Sequence, residues 1–441
     1  MEYSKQLIEK IQEKKARVCI IGLGNVGLKL ATEIAEEGYI TFGIDIDEYK
    51  IKLINEGFSY INDVSELTIK KLIKSEVFKV STSYELVKDA DIIIIAVNTP
   101  LDEYKIPNFD YLRMAIEELL KYDLRGKLII LESTVYPGAT EEIIGKRLSK
   151  VGYKIGEEIF IAYSPERIDP GSNIKFKEIP KIVSGLTETC AKLVEEFYKK
   201  IIKAAVYKAS STKVAEMTKL LENLFRLVNI SLIYQIAILC EEANINVWEV
   251  IELAKTKPFG FLPFYPGPGA GGACIPKDPR ILLWWAKKYS YLLEFIETAV
   301  KINDEMPYYI YNKILEILNK NGISAKNSRI LIIGVSYKKN INDTRESAAI
   351  KVIKLLLELG VKISYHDPYV PSINIDGHQI RSIELNSENI KNNDLVAIFT
   401  DHDSINYELI FNEAKFILDT RNVFKNRHLS KIYTLGKGQN F

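Results

Sequence analysis

The chain has 441 residues, with 59 Lys and Arg against 58 Asp and Glu; that is too long for one hydrophobic core, and the charge balance offers no electrostatic footprint for nucleic acid or an anionic membrane. Its four cysteines, at 19, 190, 240 and 274, show no C-x-x-C spacing, which argues against a zinc site or a disulfide framework and for a reducing, cytoplasmic compartment. MEYSKQLIEKIQEKKA lacks the apolar core of a signal peptide, and the longest apolar region, Leu227 to Cys240, is interrupted by Asn229, Ser231 and Gln235, so a buried helix of a soluble protein is expected there.

The first predicted unit is RVCIIGLGNVGLKLATEIAEEGYITFGIDID: an apolar strand, a glycine turn, an amphipathic helix and a second strand ending at Asp45. Gly22, Gly24 and Gly27 permit a tight turn and close approach of a pyrophosphate to the helix N-terminus, where Asn25 and Val26 complete the turn. An acid about twenty residues on can bind the adenosine ribose hydroxyls. The plain alternative is an ordinary strand–helix turn. Asp45 would repel a 2′-phosphate and favours NAD over NADP, with Asp47 and Lys50 nearby in sequence. Further strands are expected at Ile92–Val97, Leu128–Leu131 and Ile159–Tyr163, as an open parallel sheet requires, and the domain should end near residue 205.

From Ser210 the pattern is one long helix, SSTKVAEMTKLLENLFRLVNISLIYQIAILCEEA, opened by capping serines. A second helical stretch is expected from about Arg280 to Lys320. At Arg329 another strand–turn–helix–strand unit begins, RILIIGVSYKKNINDTRESAAIKVIKLLLELGVKISYHDP, with later strands at Leu395–Phe399 and Phe416–Leu418. The expected architecture is α/β: two Rossmann-like domains with parallel sheets, joined by a long central helix and a helical middle domain, divided at 1–205, 206–320 and 321–441.

Between the two helical stretches lies PFYPGPGAGGACIPKDP. Proline removes a backbone donor and glycine costs entropy to order, so this is a shaped loop. Cys274 within it is either a buried small hydrophobe or a nucleophile in a polar site.

Taken together, GLGNVG, NTPLD (98–102), ESTVYPG (132–138), SPERIDPG (164–171), E-x-x-K-x-x-x-N on the central helix, GGACIPKD (271–278) and GVSYKKNINDTRES (334–347) resemble the nucleotide-sugar dehydrogenases that oxidise UDP-sugars at C6. The resemblance spans almost the whole chain, with the motifs in order. It implies a four-electron oxidation with two NAD+: alcohol to aldehyde, aldehyde to a thioester on Cys274, then hydrolysis to a uronate. It also implies that Lys219 and Asn223, at i and i+4 on one helical face, hold the developing oxyanion; read from the residues alone, Lys219 would pair with Glu216 at the surface. Asp278 matches an aspartate that with the lysine positions a water as base, Glu166 a carboxylate of thioester hydrolysis, and Thr134 a residue that meets nicotinamide and a catalytic water. Thr99, Lys277 and Arg345 match contacts to NAD. Arg167, Tyr265, Gly267, Gly271, Lys338 and Arg421 match contacts to the UDP-sugar, as do Glu166, Lys219 and Asn223. The family's cross-subunit arginine has no clear match in AKTKPFGFLP, where Lys255 or Lys257 can substitute.

SPERIDPGSN, IPKIVSG and FYPGPG are more similar to the branch acting on UDP-N-acetylhexosamines (GlcNAc or ManNAc), whereas Ala273 before the cysteine and the PKD sequence are more similar to the UDP-glucose enzymes. An N-acetylated substrate is expected, with UDP-glucose as the alternative. A non-catalytic nucleotide-sugar binding protein would be expected to lose Cys274, Lys219 or Asp278, and a two-electron hydroxyacid dehydrogenase would not need the cysteine. Leu224, Leu227, Val228, Leu232 and Ile233 are expected to make a homodimer through the central helix, the alternative being intramolecular core. No metal, nucleic acid or membrane partner is expected.

Overall fold

The computed structural model describes residues 2–438 except 62, 170, 172, 173, 426, 428 and 429, so the end of SPERIDPGSN lies partly outside the described residues. The chain forms two compact units, one of residues 1–222 with 280–291 and the other of 223–279 with 292–441.

The first unit is built on eight strands: β1 (Val18–Ile21), β2 (Thr41–Ile44), β3 (Phe78–Ser81), β4 (Ile92–Ile95), β5 (Leu128–Leu131), β6 (Phe160–Tyr163), β7 (Lys181–Gly185) and β8 (Val206–Lys208). They lie in the order β3-β2-β1-β4-β5-β6-β7-β8. Strands β1, β2, β4, β5 and β6 are buried along their whole length, which is why they read as unbroken apolar runs rather than alternating ones. The register sets Ile20 beside Gly43 and Ile94. Strand β1 lies between β2 and β4, so the order reverses there and opens the crevice at the carboxyl ends of β1 and β4 where such sheets bind ligands.

Three strands of this first sheet were not foreseen. β3 and β8 are short, with exposed positions, and β7 runs antiparallel to β6, pairing Ala162 with Gly185. The sheet is therefore mixed at this side rather than parallel throughout.

The second unit holds a five-stranded parallel sheet in the order β10-β9-β13-β14-β15. Its strands are β9 (Arg329–Ile333), β10 (Lys362–His366), β13 (Leu395–Ile398), β14 (Ile417–Asp419) and β15 (Ile432–Thr434), with an antiparallel hairpin of β11 (Ser372–Ile375) and β12 (His378–Arg381) inserted after β10. Ile330, Ile332, Leu395 and Ala397 pack with Ala349, Val352, Ile353 and Leu356 of the helix Ala348–Glu358. This is the smaller second Rossmann-like domain.

The long helix spans Thr212–Glu242. The helical stretch expected at 280–320 is instead two helices, Asp278–Ala286 and Glu294–Lys320, separated by a short 3-10 turn and by Ser290 at φ 53°. A side chain in the left-handed region ends a helix. By length and composition alone Thr212–Glu242 could cross a membrane, yet it buries Glu216, Lys219, Asn223 and Ser231, polar groups suited to a core helix with protein partners. Of the proposed dimer residues, Leu224, Leu227 and Ile233 are buried within this chain and only Leu232 is prominently exposed. The exposed apolar side chains of this helix are Val214, Leu221, Phe225, Leu232 and Leu239.

Candidate active site

The glycine turn between β1 and the helix Asn25–Glu36 is shaped by its backbone. Gly22 has φ +93°, and a Cβ there would meet the Ala96 carbonyl oxygen at 2.8 Å. At Gly27 a Cβ would lie 1.8 Å from the Gly22 carbonyl oxygen, so helix and turn touch through glycine alone. Gly24 differs: nothing lies within 4 Å of its Cβ position, and as N-cap it supplies no side-chain acceptor. The helix that begins at Asn25 and Val26 therefore starts beside open space at Gly24 with no side-chain cap, an arrangement suited to a pyrophosphate. Asp45, 8% exposed, is aimed by its Oδ2 accepting from the Leu23 N–H (2.8 Å) and its Oδ1 from the Asp47 N–H (3.0 Å), with Lys50 Nζ at 3.6 Å. At the carboxyl ends of β4 and β5, Thr99 Oγ1 donates to the Thr134 carbonyl (2.8 Å) and Ser133 Oγ to that of Val97 (2.7 Å). These residues fit a dinucleotide.

Beyond β5 and β6 lies a buried charged cluster. Lys181, the first residue of β7, places Nζ 2.9 Å from Glu132 Oε1 and 3.8 Å from Glu166 Oε2, and donates to the Pro165 carbonyl (3.3 Å). Tyr198 OH donates to Glu132 Oε1 and its ring lies 4.9 Å below the ammonium. Burial pushes the Glu132 carboxyl up, Lys181 opposing and Glu166 reinforcing the rise. Glu166 Oε1 accepts from the Ile168 N–H, and its buried Oε2 has no hydrogen-bond partner among the described residues. Arg167 is held by Glu222 (2.7 Å) and by the Pro180 carbonyl (2.7 Å).

On the long helix, Glu216 is fully buried and accepts from the Gly138 and Thr140 N–H groups and from Thr140 Oγ1. It closes the turn of ESTVYPG and does not pair with Lys219. Lys219 is 7% exposed and makes no side-chain hydrogen bond or ion pair among the described residues, an arrangement that costs free energy unless a ligand group completes it. One turn on, Asn223 Nδ2 donates to Asp278 Oδ2 at 2.5 Å. Asp278 is wholly buried; its Oδ1 has Lys277 Nζ at 3.5 Å and no hydrogen-bond partner among the described residues. Cys274 is the exposed cysteine, the other three being buried. Its carbonyl accepts from the Lys277 and Asp278 N–H groups (3.1 and 2.9 Å), so it opens the turn that becomes the helix Asp278–Ala286.

The loop before it is clamped at both ends. Asn303 receives the Ala270 N–H (2.7 Å) and donates to the Ala270 carbonyl (3.1 Å), and the Gly272 N–H donates to the Arg345 carbonyl (2.9 Å). A Cβ at Gly271 would lie 2.6 Å from the Glu346 carbonyl oxygen, and one at Gly267 would lie 2.6 Å from Arg421 Nη1. Arg421 is aimed by donating to the Phe399 carbonyl (2.7 Å). Tyr265 stacks on Trp248 (5.9 Å between centroids) and donates to Glu252 (2.7 Å). The loop bearing Lys338 is tied through Ser336 Oγ, which donates to the Lys338 carbonyl (2.9 Å), and through the buried His402, whose Nδ1 accepts from the Asn340 N–H (2.9 Å). Arg345 is engaged by Asp343 through Nε and Nη2. Lys255 lies 3.6 Å from Glu252, and Lys257 lies over the Phe259 ring.

The first unit thus carries Gly22, Gly24, Gly27, Asp45, Thr99, Thr134, Glu166, Arg167 and Lys219; the second carries Asn223, Tyr265, Gly267, Gly271, Cys274, Lys277, Asp278, Lys338, Arg345 and Arg421. Sequence reading missed Glu132, Lys181 and Tyr198, which meet only because β5, β7 and a following helix converge.

Three domain models of the UDP-glucose/GDP-mannose dehydrogenase family match the chain: the NAD-binding domain over residues 16–202, the central domain over 213–305 and the UDP-binding domain over 331–426. The UDP-N-acetyl-D-mannosamine dehydrogenase of Methanocaldococcus jannaschii is 37% identical over 442 residues, covering 96% of this chain and 97% of that one. The UDP-N-acetyl-D-glucosamine 6-dehydrogenase of Salmonella typhi is 36% identical, covering 81% and 83%. Among solved structures, UDP-D-ManNAc dehydrogenase from Pyrococcus horikoshii aligns with a TM-score of 0.87 at 32% identity, covering 96% of this chain and all of that one.

Proposed function

Because this chain belongs to the UDP-glucose/GDP-mannose dehydrogenase family and is an NAD-dependent oxidoreductase acting on UDP-sugars, we propose that it oxidises C6 of a UDP-N-acetylhexosamine to the carboxylate through a thioester on Cys274. The reading is carried by one observation: an exposed cysteine four residues from a buried aspartate that is hydrogen-bonded by Asn223 and has one carboxylate oxygen without a hydrogen bond among the described residues. Bound NAD+ supplies the hydride acceptor, twice per product, because alcohol to carboxylate removes four electrons. Gly22, Gly24, Asn25, Val26, Gly27, Asp45, Thr99 and Thr134 would hold it, with Lys277 and Arg345 toward its phosphates.

In this reading Asp278 and Lys219 orient the water that takes the C6 hydroxyl proton. Cys274 Sγ then adds to the aldehyde carbon, and Lys219 and Asn223 hold the oxygen as its charge develops. After the second oxidation, Glu166 takes a proton from a water that attacks the thioester carbon; the carbon–sulfur bond breaks, the uronate leaves and the sulfur recovers a proton. Tyr265, Gly267, Gly271, Lys338 and Arg421 take the UDP moiety and Arg167 the sugar side. Functional domains are proposed at 1–205, 206–320 and 321–441, in a cytoplasmic enzyme.

The names of the M. jannaschii and P. horikoshii proteins support UDP-N-acetylmannosamine over its C2 epimer. A homodimer through the long helix is also proposed. Val214, Leu221, Phe225, Leu232 and Leu239 recur at spacings of 7, 4, 7 and 7 residues along one exposed face, the period of a helix seam.

Initial rates with UDP-N-acetylmannosamine, UDP-N-acetylglucosamine, UDP-galactose and UDP-glucose test the substrate. A pocket built to bond the N-acetyl group leaves polar atoms unpaired with a plain hydroxyl sugar, so kcat/KM should favour one N-acetylhexosamine at least about tenfold, about 1.4 kcal/mol. Faster turnover of UDP-glucose overturns that choice. Two NADH per uronate are expected, and one NADH per product would remove the thioester route.

A further inference from the structure

Glu166, given a proton-transfer role above, shares its counter-ion with a second buried carboxylate, Glu132. Three elements converge on it. Lys181 enters from β7, Glu132 from the end of β5, and Tyr198 from the helix Glu188–Lys199 by way of Glu132. The side chains of Glu132 and Lys181 are 0% and 4% exposed and that of Glu166 is 10% exposed. No other charged side chain lies within ion-pair distance of Glu166 among the described residues; Arg167, its chain neighbour, is engaged by Glu222. One ammonium therefore serves two carboxylates, and both Glu132 Oε2 and Glu166 Oε2 are buried without a hydrogen bond among the described residues.

We propose that Lys181 and Glu132 are positioning residues for Glu166, Lys181 placing a positive charge beside the side chain that takes the hydrolytic water's proton and Glu132 setting how much of that charge reaches it. The proposal rests on the assignment of thioester hydrolysis to Glu166. The geometry makes the roles opposite in sign. Lys181 is an opposite charge 3.8 Å from Glu166, and Glu132 is an acidic neighbour that holds the same ammonium at 2.9 Å, so removing one and removing the other change the field at Glu166 in opposite senses. Pro165 belongs to the same assembly, since its carbonyl accepts from Lys181 Nζ and so fixes the ammonium directly beside the residue before Glu166. A bond that only stabilised the fold would not separate the two effects.

The experiment is the pH profile of uronate formation by the full-length enzyme under saturating NAD+ and UDP-sugar, with acyl-enzyme followed by rapid quench and intact-protein mass. Lys181→Met should move the acid limb to higher pH by at least about one unit and accumulate acyl-enzyme near neutrality. Glu132→Gln should move the limb to lower pH, and Lys181→Arg should leave it near the parent's. If Lys181→Met fails to fold by circular dichroism, Glu132→Gln decides alone: a limb that stays put or rises overturns the proposal. Limbs that stay put, or that move in the same direction in both variants, overturn it as well. Glu166→Gln separates the two levels. If it accumulates acyl-enzyme while the Lys181 and Glu132 limbs do not move, only the positioning proposal fails; if it turns over like the parent, the hydrolytic assignment fails and takes the proposal with it.

Discussion

Replacing Gly27 with alanine drives a methyl group into backbone. The new Cβ would lie 1.8 Å from the Gly22 carbonyl oxygen and 2.9 Å from its carbon, whereas ordinary contact begins at 3.4 Å. The helix Asn25–Glu36 must therefore retreat from the turn by about 1.6 Å, against an interior packed as densely as an organic crystal. Because the obstacle is main chain and not the end of a flexible side chain, the cost falls at the upper end for overpacking, about 3 kcal/mol. The retreat also carries the helix N-terminus away from the pyrophosphate, so NAD affinity should fall at least about tenfold, about 1.4 kcal/mol. Gly24→Ala separates these effects. Gly24 has φ −69° and open space at its Cβ position, so alanine there costs no more than about 1 kcal/mol as a poorer N-cap. Its methyl nevertheless projects where the phosphates would approach, and NAD affinity should drop by a similar factor. Urea unfolding followed by circular dichroism reads stability, and isothermal titration reads NAD+ binding. A Gly27→Ala enzyme with the parent's unfolding midpoint, or a Gly24→Ala enzyme with the parent's Kd, would refute the reasoning.

Cys274→Ser should abolish uronate formation while leaving NAD+ affinity within about twofold, since the glycine turn and Asp45 belong to the other unit; uronate formed at the parent's rate would rule out the covalent role. Asn223→Leu removes the hydrogen bond to the buried Asp278 carboxylate, so it should lower stability by about 3 kcal/mol and kcat at least about tenfold, measured by urea unfolding and steady-state rates. A variant with both values unchanged would show that the Asn223–Asp278 bond contributes neither. Leu232→Glu places a charge in the exposed apolar stripe and should shift the enzyme from dimer to monomer in light scattering; a variant that stays dimeric removes the stripe from the interface.

The two sheet units were legible from local pattern, because a buried parallel strand must be apolar on both faces and a phosphate-binding turn must carry glycine at fixed spacings. Val18–Ile21 followed by Gly22, Gly24 and Gly27 satisfies both conditions within a dozen residues. The strand Lys181–Gly185 escaped notice because nothing in KIVSG announces an antiparallel neighbour; its direction is set by its pairing with β6. Likewise Glu216 and Lys219 lie one turn apart on a helix, and local spacing favours an ion pair between them. Tertiary structure decides otherwise, since the N–H groups of Gly138 and Thr140 claim the Glu216 carboxylate and leave Lys219 without an ion pair among the described residues. Cys274, in its Pro- and Gly-rich loop, was readable as a candidate nucleophile, but not that it alone of four cysteines would be exposed. Glu132 and Lys181, 49 residues apart in sequence, carry no relation that spacing could reveal. Local chemistry determined which residues can turn, cap and bond; which buried charges share one another's company is decided by long-range strand order, because only the folded sheet removes the water that would otherwise keep them apart.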